Sequence, residues 1–487
     1  MSFTSPAFLV FFLLFFWLWP ALRGRPRQLF LLAASYLFYA SWSAPLLLLL
    51  IGSTLLDFSV ARAIGRSDDP TRRRRLLALS VVANLGVLAG FKYASFFVDS
   101  AALGLHALGL DVGAPTLAIV LPVGISFYTF QTLGYTVDVY RRRLAPCASP
   151  LDFALYVAYF PQLVAGPIER AGHLLPQLQR LADPAPPRPD LSGFALIALG
   201  AFKKVVLADN LAPIVDAVYA DPGAAWAPAL WFATYAFAFQ IYCDFSGYSD
   251  IAVGVARLMG VSLMQNFRAP YAALGPADLW RRWHISLSTW LRDYLYVPLG
   301  GNRRGPWRTA RNLLLTMLLG GLWHGAAWHF VLWGAYHGLL LVVFRAGFWD
   351  RLYTLLALRL RLRPLVDLMR WLGFFHLVCL GWVLFRAASL GECGVILGKL
   401  LDPRGWQLSA WLAEVAASGE ARLLALWALV LLALLLVQVA GRVGSEVWAA
   451  RLWRAPPPLR FVLLVTLFYA CVLLAPEAPQ PFIYFQF

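Results

Sequence analysis

Residues 312–343 form a stretch of 32 positions without a single Asp, Glu, Lys or Arg. An uninterrupted apolar run of that length exceeds what one buried helix of a soluble domain needs, and it is long enough for one or two membrane crossings. Further candidate spans lie near 6–22, 28–43, 44–62, 76–97, 116–139, 193–212, 226–243, 371–387, 422–440 and 461–475. Apolar residues make up 60% of the chain and charged residues 14%, against roughly 45–50% and 25% in soluble domains. These numbers exclude soluble, disordered and fibrous classes. They predict an all-α polytopic membrane protein with about 11–12 transmembrane helices, read as a single integral-membrane domain over 1–487.

Lys plus Arg number 41 and Asp plus Glu 25, giving a formal charge of +16. The basic residues fall in short runs between apolar segments, at Arg23/Arg25/Arg27, Arg72–Arg75, Arg141–Arg143, Lys203/Lys204, Arg303/Arg304/Arg308/Arg311 and Arg359/Arg361/Arg363. This is the distribution of cytoplasmic loops in a membrane protein, with no free-standing basic domain for nucleic acid. It places the N-terminus outside. The first segment lacks a basic n-region, so it reads as a span and not as a cleaved signal peptide. The stretch 151–168 is apolar but interrupted by Pro161, Gly166 and Pro167, which predicts a re-entrant segment buried in protein, because broken backbone cannot face lipid. Residues 182–190 read as a proline-rich loop. No internal repeat is visible. The five cysteines, Cys147, Cys243, Cys379, Cys393 and Cys471, have no metal-binding spacing and imply neither a disulfide framework nor a zinc site.

Polar groups inside apolar segments are costly and are therefore functional candidates. His324 lies in the middle of the 312–343 stretch, flanked by Gly320, Gly321 and Gly325, where the backbone is free to bend and approach a ligand. An imidazole takes or gives a proton near neutrality, as a general base must. A histidine that merely bonds two helices together would occupy the same position. His284 falls among Trp280, Trp283, Leu287, Leu291 and Tyr294, whose three- and four-residue steps predict an amphipathic helix over 279–294 with His284 in the apolar stripe. Here too a satisfied core histidine is the alternative. His284 and Ser288 share a helical i, i+4 step, a weak sign of a nucleophile–base pair. Asp244 and Asp250 are expected to end one apolar segment and open another, either lining a polar cavity or capping helices. His329 and His337 are expected to be structural, and Lys92 to snorkel from a helix end.

Six motifs carry a resemblance. WRRWHISLSTWLRDYLYVPLGGNRRG (280–305), followed by GGLWHGAAW (320–328), resembles the membrane-bound O-acyltransferase (MBOAT) superfamily. LPVGISFYTFQTLGYTVDVYR (121–141), YFPQLVAGPIER (159–170), QIYCDFSGYSDIAVGVARLMG (240–260) and the terminal FIYFQF (482–487) resemble its bacterial alginate O-acetyltransferase branch. The resemblance implies an MBOAT fold, with re-entrant and amphipathic helices around a central funnel or tunnel and the catalytic motifs within 240–345. It matches His324 to the family's invariant catalytic histidine and His284, 40 residues earlier, to the second motif position. It implies acetyl-CoA as acyl donor, no metal, an exported alginate-like polysaccharide and a periplasmic or membrane-anchored acetyltransferase partner. It places the chain among the lipids of the bacterial inner membrane, N-terminus in the periplasm. Trp323 and Asp244 are then candidate substrate contacts, and Arg281, Arg282, Arg303 and Arg304 candidate contacts for CoA phosphates. The alternative class is a polytopic solute or proton-coupled transporter without acyl transfer.

Overall fold

The computed structural model describes residues 1–110, 113, 119–360, 362–478 and 480–483, with no side chain described at 348–350, 357, 359 or 360. Three sequence readings therefore fall in part outside the described residues: 116–118 of one span, Arg361 of one basic run, and 484–487 of the C-terminal motif. Every regular element among the described residues is a helix. Each candidate span overlaps one. Four helices have both the length and the apolarity to cross a membrane, Ala44–Gly65, Pro70–Ala107, Arg363–Arg386 and Ala421–Gly441, and Pro6–Ala21 and Pro457–Leu473 are shorter apolar helices. Ala421–Gly441 buries only Leu431 and Gln438 and turns its other leucines outward, as a helix solvated by lipid would.

Helix starts follow local chemistry. Ser5 accepts from the Phe8 N–H ahead of Pro6, Asp69 from Thr71 and Arg72 ahead of Pro70, and Ser149 from Asp152 ahead of Pro150. Each pairs an N-cap oxygen with a proline whose missing N–H costs nothing in the first turn. Lys92 lies in a π-type turn, Ala89–Tyr93, inside the 38-residue Pro70–Ala107 helix and not at a helix end. The apolar propensity of the flanking segments carries the helix straight through the Gly90 position.

The chain divides into two compact units, one of residues 1–197 and 251–264, the other of residues 198–250 and 265–487. In the first, the interrupted stretch expected to be re-entrant forms two short helices, Pro150–Ala158 and Phe160–Leu163, with every residue from Leu155 to Ile168 buried. Its exposed backbone is satisfied by side chains. Gln131 and Gln162 both donate to the Tyr156 carbonyl at 2.7 Å, and the Phe160 N–H donates to Ser35 Oγ at 3.2 Å. Such repair is what allows broken backbone inside an apolar setting. The buried Asp57 accepts from Ser80 Oγ at 2.6 Å and Asn84 Nδ2 at 2.9 Å, pinning Ala44–Gly65 against Pro70–Leu88 with a satisfied polar cluster.

In the second unit, two helices, Pro306–His324 and Trp328–Arg345, fold back on each other. Their close approach is a glycine contact. A Cβ at Gly334 would fall on the Met317 carbonyl, and one at Gly321 would fall on the Phe330 carbonyl and 3.0 Å from the Gly334 Cα. Small residues let two backbones meet where larger side chains would hold them apart. Beside Trp328–Arg345 stands Arg363–Arg386.

Candidate active site

His324 is the last residue of its helix. Gly325 follows in an extended conformation (φ −158°, ψ 150°), and Ala327 caps the next helix, also extended. The break has a steric cause: a Cβ at Gly325 would overlap the Phe330 ring. The 312–343 run is thus a hairpin whose bend presents one imidazole. His324 is 5% exposed. Its ring is gripped edge-to-face by Trp323 (4.9 Å between centroids), Trp333 (5.0 Å) and Phe385 (5.4 Å). Ring contacts of this kind fix orientation as well as burying area.

The expected continuous helix over 279–294 is broken. Pro276–Trp280 ends in a turn, His284 adopts a left-handed conformation (φ 43°, ψ 55°), and a new seven-residue helix runs Ile285–Leu291 before a π-type turn at Arg292–Tyr296. The three- and four-residue periodicity misled because the apolar residues face one aromatic core from two short helices. Trp283 is 2% exposed and packs on Trp382 (4.8 Å), Phe267 (5.1 Å) and Tyr271 (6.1 Å). A left-handed non-glycine residue costs on the order of 1–3 kcal/mol and persists only where its surroundings hold it. Asn266 supplies the hold. Its carbonyl accepts the Ile285 N–H (3.0 Å). Its side-chain Oδ1 accepts the Ser286 N–H (3.3 Å) and Ser286 Oγ (2.6 Å), while its Nδ2 donates to Ser249 Oγ (3.2 Å). Asn266 thus caps a helix to which it does not belong.

This turn brings His284 to 6.5 Å from His324, ring to ring, with Trp323 5.9 Å from His284 and wedged against both. His284 is fully buried, its ring edge-on to Phe245 at 4.7 Å. Burial pushes its pKa down to about 3, so the ring is neutral at physiological pH. Ser288 is no nucleophile partner for it, since Ser288 Oγ donates to the Trp283 carbonyl at 3.2 Å.

A cavity of about 210 Å³ opens onto His324. Leu287, Leu291, Leu313, Met317 and Gly320 make its apolar sides, Trp280 and Trp333 flank the histidine, and Arg292 and Tyr296 complete the lining. The Arg292 guanidinium forks onto Asp293 (2.7 and 3.2 Å) with its side chain 60% exposed. The four arginines singled out as phosphate contacts do not line the cavity. Arg281 and Arg282 pair with Asp278 at 3.6 and 3.0 Å, and Arg303 and Arg304 are exposed.

Asp244 and Asp250 neither end nor cap a helix. One helix, Ala227–Leu258, runs through both. Their charge is matched by consecutive lysines on a π-type turn, Phe202–Ala208. Lys203 pairs with Asp250 at 2.7 Å, and Lys204 with Asp244 at 2.8 Å and Asp209 at 2.6 Å. Buried partners remove the reason for the apolar helix to break. Asp244 also accepts the Ile483 N–H at 2.6 Å and lines no part of the cavity. His329 Nδ1 donates to the Leu384 carbonyl (3.1 Å), a structural role, and His337 packs between Trp280 and Trp333. No cluster of three potential metal ligands exists among the described residues.

The family model described as MBOAT, membrane-bound O-acyltransferase family, matches residues 142–385. The probable alginate O-acetylase AlgI of Pseudomonas putida is 38% identical over 511 residues, covering 100% of both chains. The protein of the same name from Azotobacter vinelandii is 43% identical over 415 residues, 84% of this chain and 80% of the relative. The peptidoglycan O-acetyltransferase of Helicobacter pylori is 35% identical over 437 residues, 83% of this chain and 81% of the relative.

Proposed function

The chain belongs to the membrane-bound O-acyltransferase family, and from that premise we propose that it transfers acetyl groups from cytoplasmic acetyl-CoA, across the bacterial inner membrane, toward an exported alginate-like polysaccharide. The observation that carries the reading is a buried histidine at a helix bend, opening onto an apolar cavity with a cationic side chain in its lining. His324 acts as the general base, taking the proton of an attacking hydroxyl. The imidazolium it becomes sits at the carbonyl end of its helix, where the dipole favours positive charge. His284, neutral and immobilised by Phe245 and the Asn266 clasp, lies outside the cavity lining and acts through its contacts with Trp323 and His324. Trp323 holds the two rings apart at a fixed angle. Arg292 takes donor phosphates at the cavity, and Arg281, Arg303 and Arg304, on the same stretch of chain, add exposed positive charge for them, while Arg282 is part-buried against Asp278.

The acetyl group reaches the polymer through a periplasmic or membrane-anchored acetyltransferase partner. The names of the relatives support acetylation of an envelope polymer, alginate in some and peptidoglycan in another. The test is complementation: a strain deleted for this protein and carrying His324→Ala, at wild-type membrane abundance, loses O-acetyl groups from its exported polysaccharide. Normal O-acetyl content with the variant protein present refutes the assignment, and a transporter reading predicts that result.

A further inference from the structure

The cavity at His324 has a direction. Leu313, Thr316, Met317, Gly320 and His324 follow three- and four-residue steps along Pro306–His324 and form one wall. The facing wall runs the opposite way. The Gly301 N–H donates to the Tyr296 carbonyl at 2.9 Å, and the Gly301 carbonyl accepts from Asn312 Nδ2 at 3.0 Å, so Tyr296 stands at the Leu313 end. A Cβ at Gly320 would come within 3.2 Å of Leu291 Cδ1. Leu287, one turn before Leu291, therefore lies level with His324. Exposure follows the same direction. The Arg292 side chain is 60% exposed, whereas Leu287 is 2%, His324 5% and Trp333 1% exposed. The cavity thus leads from Arg292 and Tyr296 inward to His324, and Trp333 closes its buried end. The Trp333 ring lies 5.0 Å from His324 and at 86° to it. It is held by His337 (4.8 Å), Phe385 (5.3 Å), Trp280 (5.8 Å) and Trp382 (6.3 Å).

We propose that Trp333 is the acyl-length stop of this cavity, its ring admitting the methyl of an acetyl thioester at His324 and turning away longer chains. The inference rests on the acyltransferase reading and deepens it by naming the donor class, short-chain acyl thioesters. A donor whose phosphates rest at Arg292 enters acyl end first. Its carbonyl carbon must halt at His324, where the acceptor hydroxyl gives up its proton. The acceptor oxygen bonds to that carbon, the C–S bond breaks, and the hydroxyl proton passes through His324 to the leaving sulfur. Trp333 touches none of the bonds that change. It meets the alkyl group the carbonyl carries, because beyond His324 the lining is Trp333 and Leu287. A close-packed wall gives little when an extra methylene presses on it, and the rings around Trp333 leave it nowhere to move. One methylene in an apolar pocket changes selectivity by about 10- to 200-fold.

The experiment uses the full-length protein in detergent micelles with acetyl-CoA, propionyl-CoA and butyryl-CoA, following free thiol. In the parent, kcat/KM is expected to fall by about tenfold or more for each added methylene. Trp333→Leu opens the buried end and should raise the butyryl-to-acetyl ratio of kcat/KM by about 100-fold. The ratio is taken within one sample, so a smaller folded fraction lowers both rates and leaves it unmoved. Trp333→Phe keeps an aromatic ring in the same packing and should raise the ratio by about tenfold, and it decides the question should the leucine variant fail to fold. A parent that uses butyryl-CoA within about threefold of acetyl-CoA overturns the proposal. So does a folded Trp333 variant whose ratio equals the parent's. Failure of the parent to cleave any of the three thioesters is a different result, since it refutes the acyltransferase reading itself.

Discussion

Asn266→Ala should do more damage than any single contact near His284 would indicate. Three side-chain hydrogen bonds disappear, to the Ser286 N–H, Ser286 Oγ and Ser249 Oγ. Ser286 is fully buried, and its N–H loses the Asn266 acceptor. Losing that buried bond costs about 1–3 kcal/mol, while the two hydroxyls, free to rotate, cost less. The left-handed turn at His284 stores about 1–3 kcal/mol of its own, which the Asn266 clasp opposes. With the clasp weakened, the turn relaxes toward a commoner conformation and the imidazole swings out of register with His324. Stability should fall by about 2–3 kcal/mol, and the transfer rate by about 100-fold, as expected for a reacting group displaced by an ångström. Asn266→Asp keeps Oδ1 as acceptor and loses only the donation to Ser249, so it should recover most of the stability. The assay pairs thermal unfolding in detergent with thioester turnover. An Asn266→Ala protein with unchanged midpoint and unchanged turnover would show that the clasp does not hold the histidine.

Three further outcomes follow from the same geometry. His284 has a folded-state pKa of about 3 and an unfolded value near about 6.5, so between these the unfolded chain binds more protons. Stability from this group therefore rises with pH across that window and falls on acidification, by about 2 kcal/mol from pH ~6.5 to ~5; His284→Asn should flatten the melting temperature over that range, and an equal acid loss in both proteins would contradict it. Lys204→Met strands the Asp244 and Asp209 carboxylates and should cost about 3–5 kcal/mol, with Asp244→Asn in the same chain restoring part of it in a double-mutant melt; strict additivity would refute the coupling. Gly334→Val pushes a branched side chain into the Met317 backbone, costing about 1–3 kcal/mol and moving His324 off the cavity, so turnover should drop further than the melting temperature suggests.

The apolar runs made the helices legible because a spanning segment announces itself by composition alone. Glycine and histidine at 320–325 likewise announced a bend, since a histidine amid glycines in an uncharged stretch has few other uses. Periodicity failed at 279–294 because two short helices facing one aromatic core produce the same three- and four-residue steps as one long helix. It failed at Asp244 and Asp250 because the lysines that neutralise them lie about 40 residues earlier, on a π-type turn that no local pattern reveals. Asn266 left no trace in the sequence: its role is to cap a helix 19 residues downstream through space. Arg292 became significant only once folding put it around the same cavity as His324.

One measurement bears on the whole account: single-turnover release of free thiol from acetyl-CoA by purified protein, wild type against His324→Ala, each shown to be folded by its melt. The account predicts cleavage by the wild type and a loss of about 10³-fold in the variant, the size expected when a general base is removed. Equal release by both proteins would contradict it.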